Sequence, residues 1–98
     1  MRRAALLAAL AIVAGCGASS QPTPANAKEA VEARLAGKHL SFEWVFCLRT
    51  TRSFEGRAIF RCNVNFGEPH IVIYCVTLDG EKLVTNHEQP AMRCGRVQ

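Results

Sequence analysis

Two rhythms of hydrophobic and polar residues run through the chain. Ala27, Ala30, Val31 and Leu35 recur at helical spacing, with Lys28, Glu29, Glu32 and Arg34 on the other side, which predicts an amphipathic helix over residues 27–36. Asn26 suits the N-cap, Glu29 stands three residues on as a capping box requires, and Gly37 suits the left-handed position that closes a helix. So short a helix is marginal in water by itself, so it must pack on something.

From residue 40 the period drops to two. Leu40, Phe42, Trp44, Phe46 and Leu48 occupy the even positions up to Arg49, the pattern of a half-buried strand whose large residues face the core. A polar stretch, Thr50 to Gly56, reads as a loop. The segment Arg57 to Phe66 again places apolar residues at even positions, with Arg57, Arg61, Asn63 and Asn65 pointing the other way. Gly67-Glu68-Pro69 reads as a turn. His70 to Leu78 is β-branched on both sides, as an interior strand would be. Asp79-Gly80 is a two-residue hairpin signal, and Lys82 to Asn86 forms a short return strand. Residues 87–98 show no period. The predicted fold is α+β: one N-terminal helix packed on a four-stranded antiparallel meander.

The chain has 98 residues, enough for a single small domain, and its 20% charged residues argue against disorder throughout. Its opening is of a different kind. Arg2 and Arg3 precede an unbroken apolar run from Ala4 to Ala14, too short for a spanning helix of roughly 20 residues and suited to a secretory signal. Val13-Ala14-Gly15-Cys16 resembles the lipobox of bacterial lipoproteins. The resemblance implies cleavage after residue 15 and a diacylglyceryl group on the Cys16 thiol, a membrane anchor on the extracytoplasmic face. The net charge of +4 then falls to +2, because Arg2 and Arg3 leave with residues 1–15. Residues 16–25, with small polar side chains, Pro22 and Pro24, read as a flexible tether, and residues 26–98 as the folding unit.

Four cysteines remain after Cys16: Cys47, Cys62, Cys75 and Cys94. An even number in a small exported chain reads as two disulfides, and the wide spacings leave no C-x-x-C for redox exchange or zinc. Of three pairings, Cys47–Cys62 with Cys75–Cys94 is preferred. The first joins neighbouring strands and the second ties the irregular tail to the sheet. Cys62 lies on the apolar phase of its strand, however, and Cys47 on the more polar one. A bulge or a position at the strand ends would reconcile them; otherwise Cys62–Cys75 becomes the better pairing.

The run Cys47, Gly56, Phe60-Arg61-Cys62-Asn63-Val64 and Asp79-Gly80 is similar to small cystatin-like envelope domains of high-GC bacteria, which carry one helix and a curved sheet. The resemblance covers roughly residues 26–86 and implies the fold and a Cys47–Cys62 staple, but no activity. Cys75 and Cys94 depart from the pattern.

Candidate chemistry is sparse. His39, His70 and His87 read as loop histidines; pairing His70 or His87 with Glu88 as general base and orienter, or with a metal, is the weaker alternative. Glu43 reads as solvated. No phosphate-binding glycine loop, nucleophile elbow or calcium-type carboxylate cluster is present in the sequence. Arg49, Arg52, Arg57 and Arg61 gather about one hairpin and form the candidate interaction patch, for anionic lipid headgroups, an anionic envelope polymer or an acidic protein surface, against the plainer reading of a solvated face that guards the sheet from edge pairing; nucleic acid is not the expected partner of an exported protein. Trp44, Phe42, Phe46, Phe60 and Phe66 are expected to form the core, the alternative being the lining of a ligand pocket. The sequence thus predicts a non-enzymatic, lipid-anchored binding module without cofactor or metal, with a structural accessory of an envelope assembly as alternative and a hydrolase using His87 and Glu88 last.

Overall fold

The computed structural model describes residues 21–98. The leader 1–15, Cys16 and the first part of the tether lie outside the described residues.

Helix α1 spans Pro24–Gly37, three residues earlier than the periodicity predicts. Thr23 is the N-cap: its Oγ1 accepts the Asn26 N–H (3.2 Å) while Asn26 Oδ1 accepts the Thr23 N–H (2.8 Å). Asn26 is therefore the inner partner of the capping box rather than its cap, and Glu29 takes no part. Pro24 explains the shift, since its missing N–H and fixed φ cost nothing at the first helical position. The helix with its cap accordingly begins at Thr23, inside the stretch read as tether. At the other end Leu40 N–H donates to Leu35 O (2.9 Å) and His39 N–H to Ala36 O (3.0 Å), the bonds of a Schellman motif. The left-handed residue is His39, with φ 59°, and not Gly37, which is the last residue of the helix.

Four strands follow, β1 (Trp44–Phe54), β2 (Arg57–Asn65), β3 (Ile71–Asp79) and β4 (Lys82–Thr85), in the order β1-β2-β3-β4, all antiparallel. This is the predicted helix-on-meander, with β3 interior. Thr50–Phe54 is strand, however, where a loop was expected. The turn contains only Glu55 and Gly56, both at positive φ (53° and 80°), between the paired Phe54 and Arg57. That two-residue geometry matches the twist of the flanking strands. The polar residues are accommodated by a register shift between Arg49 and Ser53. There Thr50 turns inward and its Oγ1 donates to Ile59 O (2.8 Å). At the β3–β4 connection Asp79 pairs with Lys82, so the loop residues are Gly80, with φ 64°, and Glu81.

The sheet is covered on both faces, unequally. On the inner face Ala27, Val31 and Leu35 of α1 pack on Val45, Cys47, Phe60, Cys62, Val64, Val76, Leu78 and Leu83. Arg34 fastens the helix across to β4, donating to Leu83 O (2.8 Å) and pairing with Glu88 (3.2 Å). On the outer face residues 86–98 cross the sheet. Met92, 2% exposed, covers Ile59 beside Phe54, Val84 and the Cys75–Cys94 disulfide. The tail then reaches β1, where Thr50 bridges Val97, Thr51 N–H donates to Arg96 O (2.8 Å) and Gln98 N–H to Arg49 O (3.0 Å). Gly95 is required on this path. It sits at φ 72°, and a Cβ there would collide with the Arg52 side chain.

The first strand reverses the predicted phase. Val45 (2% exposed) and Cys47 (5%) face the helix, while Trp44, Phe46 and Leu48 face outward. Cross-strand partners share a face, and Val45 pairs with Val64 and Cys47 with Cys62, both already committed to the inner core. Cys47 and Cys62 are therefore directly opposed, with Cα atoms 4.0 Å apart, and bonded. The phase conflict that called for a bulge or a strand-end position disappears because the buried phase of β1 is the odd one. Cys75 bonds Cys94 across 4.9 Å between Cα atoms, on the opposite face.

Candidate interaction face

The tail closes only part of the outer face. Pairing registers arrange what remains in three rows: Trp44, Asn65 and Ile71; Phe46, Asn63 and Ile73; Leu48, Arg61 and Cys75. The next position along β2 is Ile59, which lies under Met92. Beyond the tail's reach Trp44 is 42% exposed, Phe46 55%, Leu48 39%, Ile71 44% and Ile73 45%. Scattered apolar residues on a surface are ordinary, but here five large ones share one face, on β1 and β3, flanking Asn65, Asn63 and Arg61 of β2, and an exposed apolar face of this kind marks interaction sites in monomeric proteins.

Two shallow hollows indent this patch. One of about 350 Å³ is lined by Trp44, Val45, Phe46 and Asn63, and one of about 190 Å³ by Phe46, Leu48, Arg61, Asn63 and Val97. Both open broadly to solvent, whereas a small-molecule site encloses most of its ligand. The geometry suits a broad, flat contact. A larger groove of about 640 Å³ lies at the opposite end, between the first turn of α1 and the β3–β4 turn. Its wall includes Asn26, already engaged by Thr23, together with Glu29 and Glu81, and offers no converging set of free donors.

The four arginines do not form one cluster. Register puts Arg49 opposite Phe60, on the helix side, and Arg61 opposite Leu48, on the outer face. Arg57 shares the outer face but is paired with Glu55 (3.2 Å), and its Nε is buried without a partner. The stem of Arg52 packs against Gly95. Only Arg61 borders the apolar patch. Sequence proximity around a hairpin brings residues to both sides of a sheet, because successive side chains alternate.

Glu88 is used structurally. It accepts the Thr85 N–H (3.0 Å) and pairs with Arg34, and these contacts, the backbone hydrogen bond foremost, hold its carboxyl below the usual 4.5 against the opposing effect of desolvation. His87 instead rests against the Tyr74 ring, with centroids 4.9 Å apart. His39 closes the helix, and His70 lies in the β2–β3 turn, its N–H donating to Gly67 O (2.6 Å). Among the described residues no three His, Cys, Asp or Glu side chains gather as a metal site, and no helix is long and apolar enough to cross a membrane.

Of the five aromatics expected in the core, Phe60 is buried there, Phe42 and Phe66 are half-buried against it, and Trp44 and Phe46 are on the open face. Leu48, Ile71, Ile73 and Asn63 were not singled out by sequence reasoning. The signal was present: Trp44 to Leu48 and Ile71 to Ile73 are apolar on both phases, as in strands that make contacts on both faces. Comparison with protein-family models, with curated proteins and with solved structures finds no match to this chain.

Proposed function

We propose that the chain is an exported lipoprotein, anchored to the extracytoplasmic face of a membrane through Cys16, whose disulfide-stapled domain works as a non-enzymatic binding module. The open face of Trp44, Phe46, Leu48, Ile71 and Ile73 is its contact surface. The observation that carries the reading is that the tail covers Ile59 but leaves these five side chains about half exposed to water. Burying them against a partner recovers about 25 cal/mol per Å² of apolar area.

Two disulfides in so short a chain fit an oxidising compartment, where such bonds persist. The lipobox-like Val13-Ala14-Gly15-Cys16 and the tether fit an anchored domain held off the bilayer. The test has two arms. Full-length protein from producing cells should begin at Cys16, carry fatty-acyl mass there, and lose membrane association in Cys16→Ser. Phe46→Lys should keep both disulfides yet make Ile71 and Ile73 labile to surface footprinting in intact cells, where the parent is protected. A water-soluble chain retaining residues 1–15, or a face equally reactive in both proteins, overturns the respective arm.

A further inference from the structure

The open face carries its own complement. At the end where Trp44 and Ile71 lie, the rim is acidic: Glu43 precedes β1 and Glu68 lies in the β2–β3 turn. At the other end the rim is basic, with Arg61 on the face and Arg93 and Arg96 on the tail that crosses it. Glu43, Glu68, Arg61, Arg93 and Arg96 all stand outside the three ion pairs of the described residues. From this polarity we infer that the occupant of the face is a second copy of the same chain, stacked sheet on sheet about a two-fold axis that lies between the faces and perpendicular to the strands. The inference rests on reading this face as a binding surface and is independent of the lipid anchor.

An axis in that direction reverses the strands, so the acidic end of each copy meets the basic end of the other. An axis along the strands would instead set Glu68 against Glu68 and Arg61 against Arg61. The central row of Phe46, Asn63 and Ile73 then lies on the axis. Phe46 meets its own counterpart as an aromatic pair, and the Asn63 amides, each both donor and acceptor, bond reciprocally. Trp44 of one copy then faces Leu48 of the other, and Arg61 faces Asn65 on the side from which Glu68 approaches. Such self-complementarity is what a two-fold contact demands.

Area supports the assignment. The exposed fractions of the five apolar residues correspond to about 450 Å² per copy on the basis of typical side-chain areas, roughly 900 Å² for two copies. Asn63, Val97 and the charged rims bring the total to about the lower limit of a specific interface, 1,200 Å². A contact of that size is weak, of micromolar order, and gains from confinement of both copies to one surface. The tether leaves the domain at the start of α1, next to the β3–β4 turn, on the helix side and at the far end from Trp44. The apolar face is thus turned away from the attachment point, which disfavours the bilayer as its occupant.

The test is photo-crosslinking of the full chain in the cells that produce it, with a benzophenone amino acid replacing Ile73. The expected result is an adduct of twice the chain mass, with both crosslinked peptides derived from this sequence and one containing residues 63–73 of the second copy. Arg61→Glu and Glu68→Arg, each verified by mass to retain both disulfides, should separately lower the adduct yield about tenfold, and the two together should restore it. Adducts solely with a different protein or with lipid overturn the second copy while leaving the face a binding surface. Absence of any adduct overturns both, and a self-adduct indifferent to the charge exchanges overturns the proposed axis.

Discussion

Lysine placed at two neighbouring positions of β1 should have opposite consequences. Val45 is 2% exposed and faces the helix, so Val45→Lys forfeits about 1.5–3 kcal/mol of side-chain burial and adds several kcal/mol for an unpaired cation in the core. Stability of a small domain is on the order of 5 kcal/mol, so this variant should be unfolded at 25 °C. Phe46 has 55% of its surface in water. Removing the covered remainder, about 90 Å², costs about 2 kcal/mol, and the lysine stem lying along Trp44 and Leu48 restores roughly half of that. The expected loss for Phe46→Lys is about 1 kcal/mol, with the midpoint falling a few degrees. Urea and thermal melts read through Trp44, the chain's single tryptophan, would measure both. A folded Val45→Lys with near-parental stability, or a Phe46→Lys that fails to fold, would refute the assignment of faces in β1, and with it the open apolar surface.

Further outcomes follow from other contacts. Cys75→Ser with Cys94→Ser removes closure of a 19-residue separation and should cost about 3 kcal/mol in the chain-entropy account, with protease cleaving first after Arg93 or Arg96 as the tail lifts from Ile59. Limited proteolysis and melts check this; an unchanged midpoint contradicts it. His39→Gly relieves a left-handed residue at the Schellman position, and Gly37→Ala stiffens a helical one with open space at its Cβ; each should raise stability by about 0.5–1 kcal/mol in urea titrations. Glu88, whose carboxyl is held below 4.5 in the folded state, contributes stability that is present above that pH and disappears as pH falls through its lowered value. Parent and Glu88→Gln should therefore converge in thermal stability between pH 4.5 and pH 2; a constant gap across that range excludes the Thr85 and Arg34 contacts as its cause.

Much of the architecture can be read from the chain alone. Helical spacing from Ala27 to Leu35, alternation in the later segments and the Asp79-Gly80 turn specify one helix and four strands, because local patterning and turn chemistry act within a few residues. The Cys47–Cys62 pairing also follows from strand adjacency, and Cys75–Cys94 is what then remains to tie the tail to the sheet. Other features were hidden. Thr23 and Pro24 looked like tether and Asn26 like the cap itself, since a capping box needs only short polar residues and those also mark linkers. Thr50 to Phe54 looked like a loop because a strand supported by a partner on one side and by the tail on the other tolerates polar side chains.

Tertiary structure alone decided which face of β1 is inside. Alternation states that a strand has two faces, but Trp44, Phe46 and Leu48 on one phase and Val45 and Cys47 on the other are both apolar, so hydrophobicity could not choose between them. The choice came from register: once Val64 and Cys62 turn toward α1, Val45 and Cys47 must follow, whatever the size of their neighbours. The same non-local step carries a tail without any period of its own over Ile59, stops it short of Trp44, and separates Arg49 from Arg61 across the sheet. Sequence specifies the elements because their causes are local; the open face exists because pairings between distant residues determine what the tail and helix can reach.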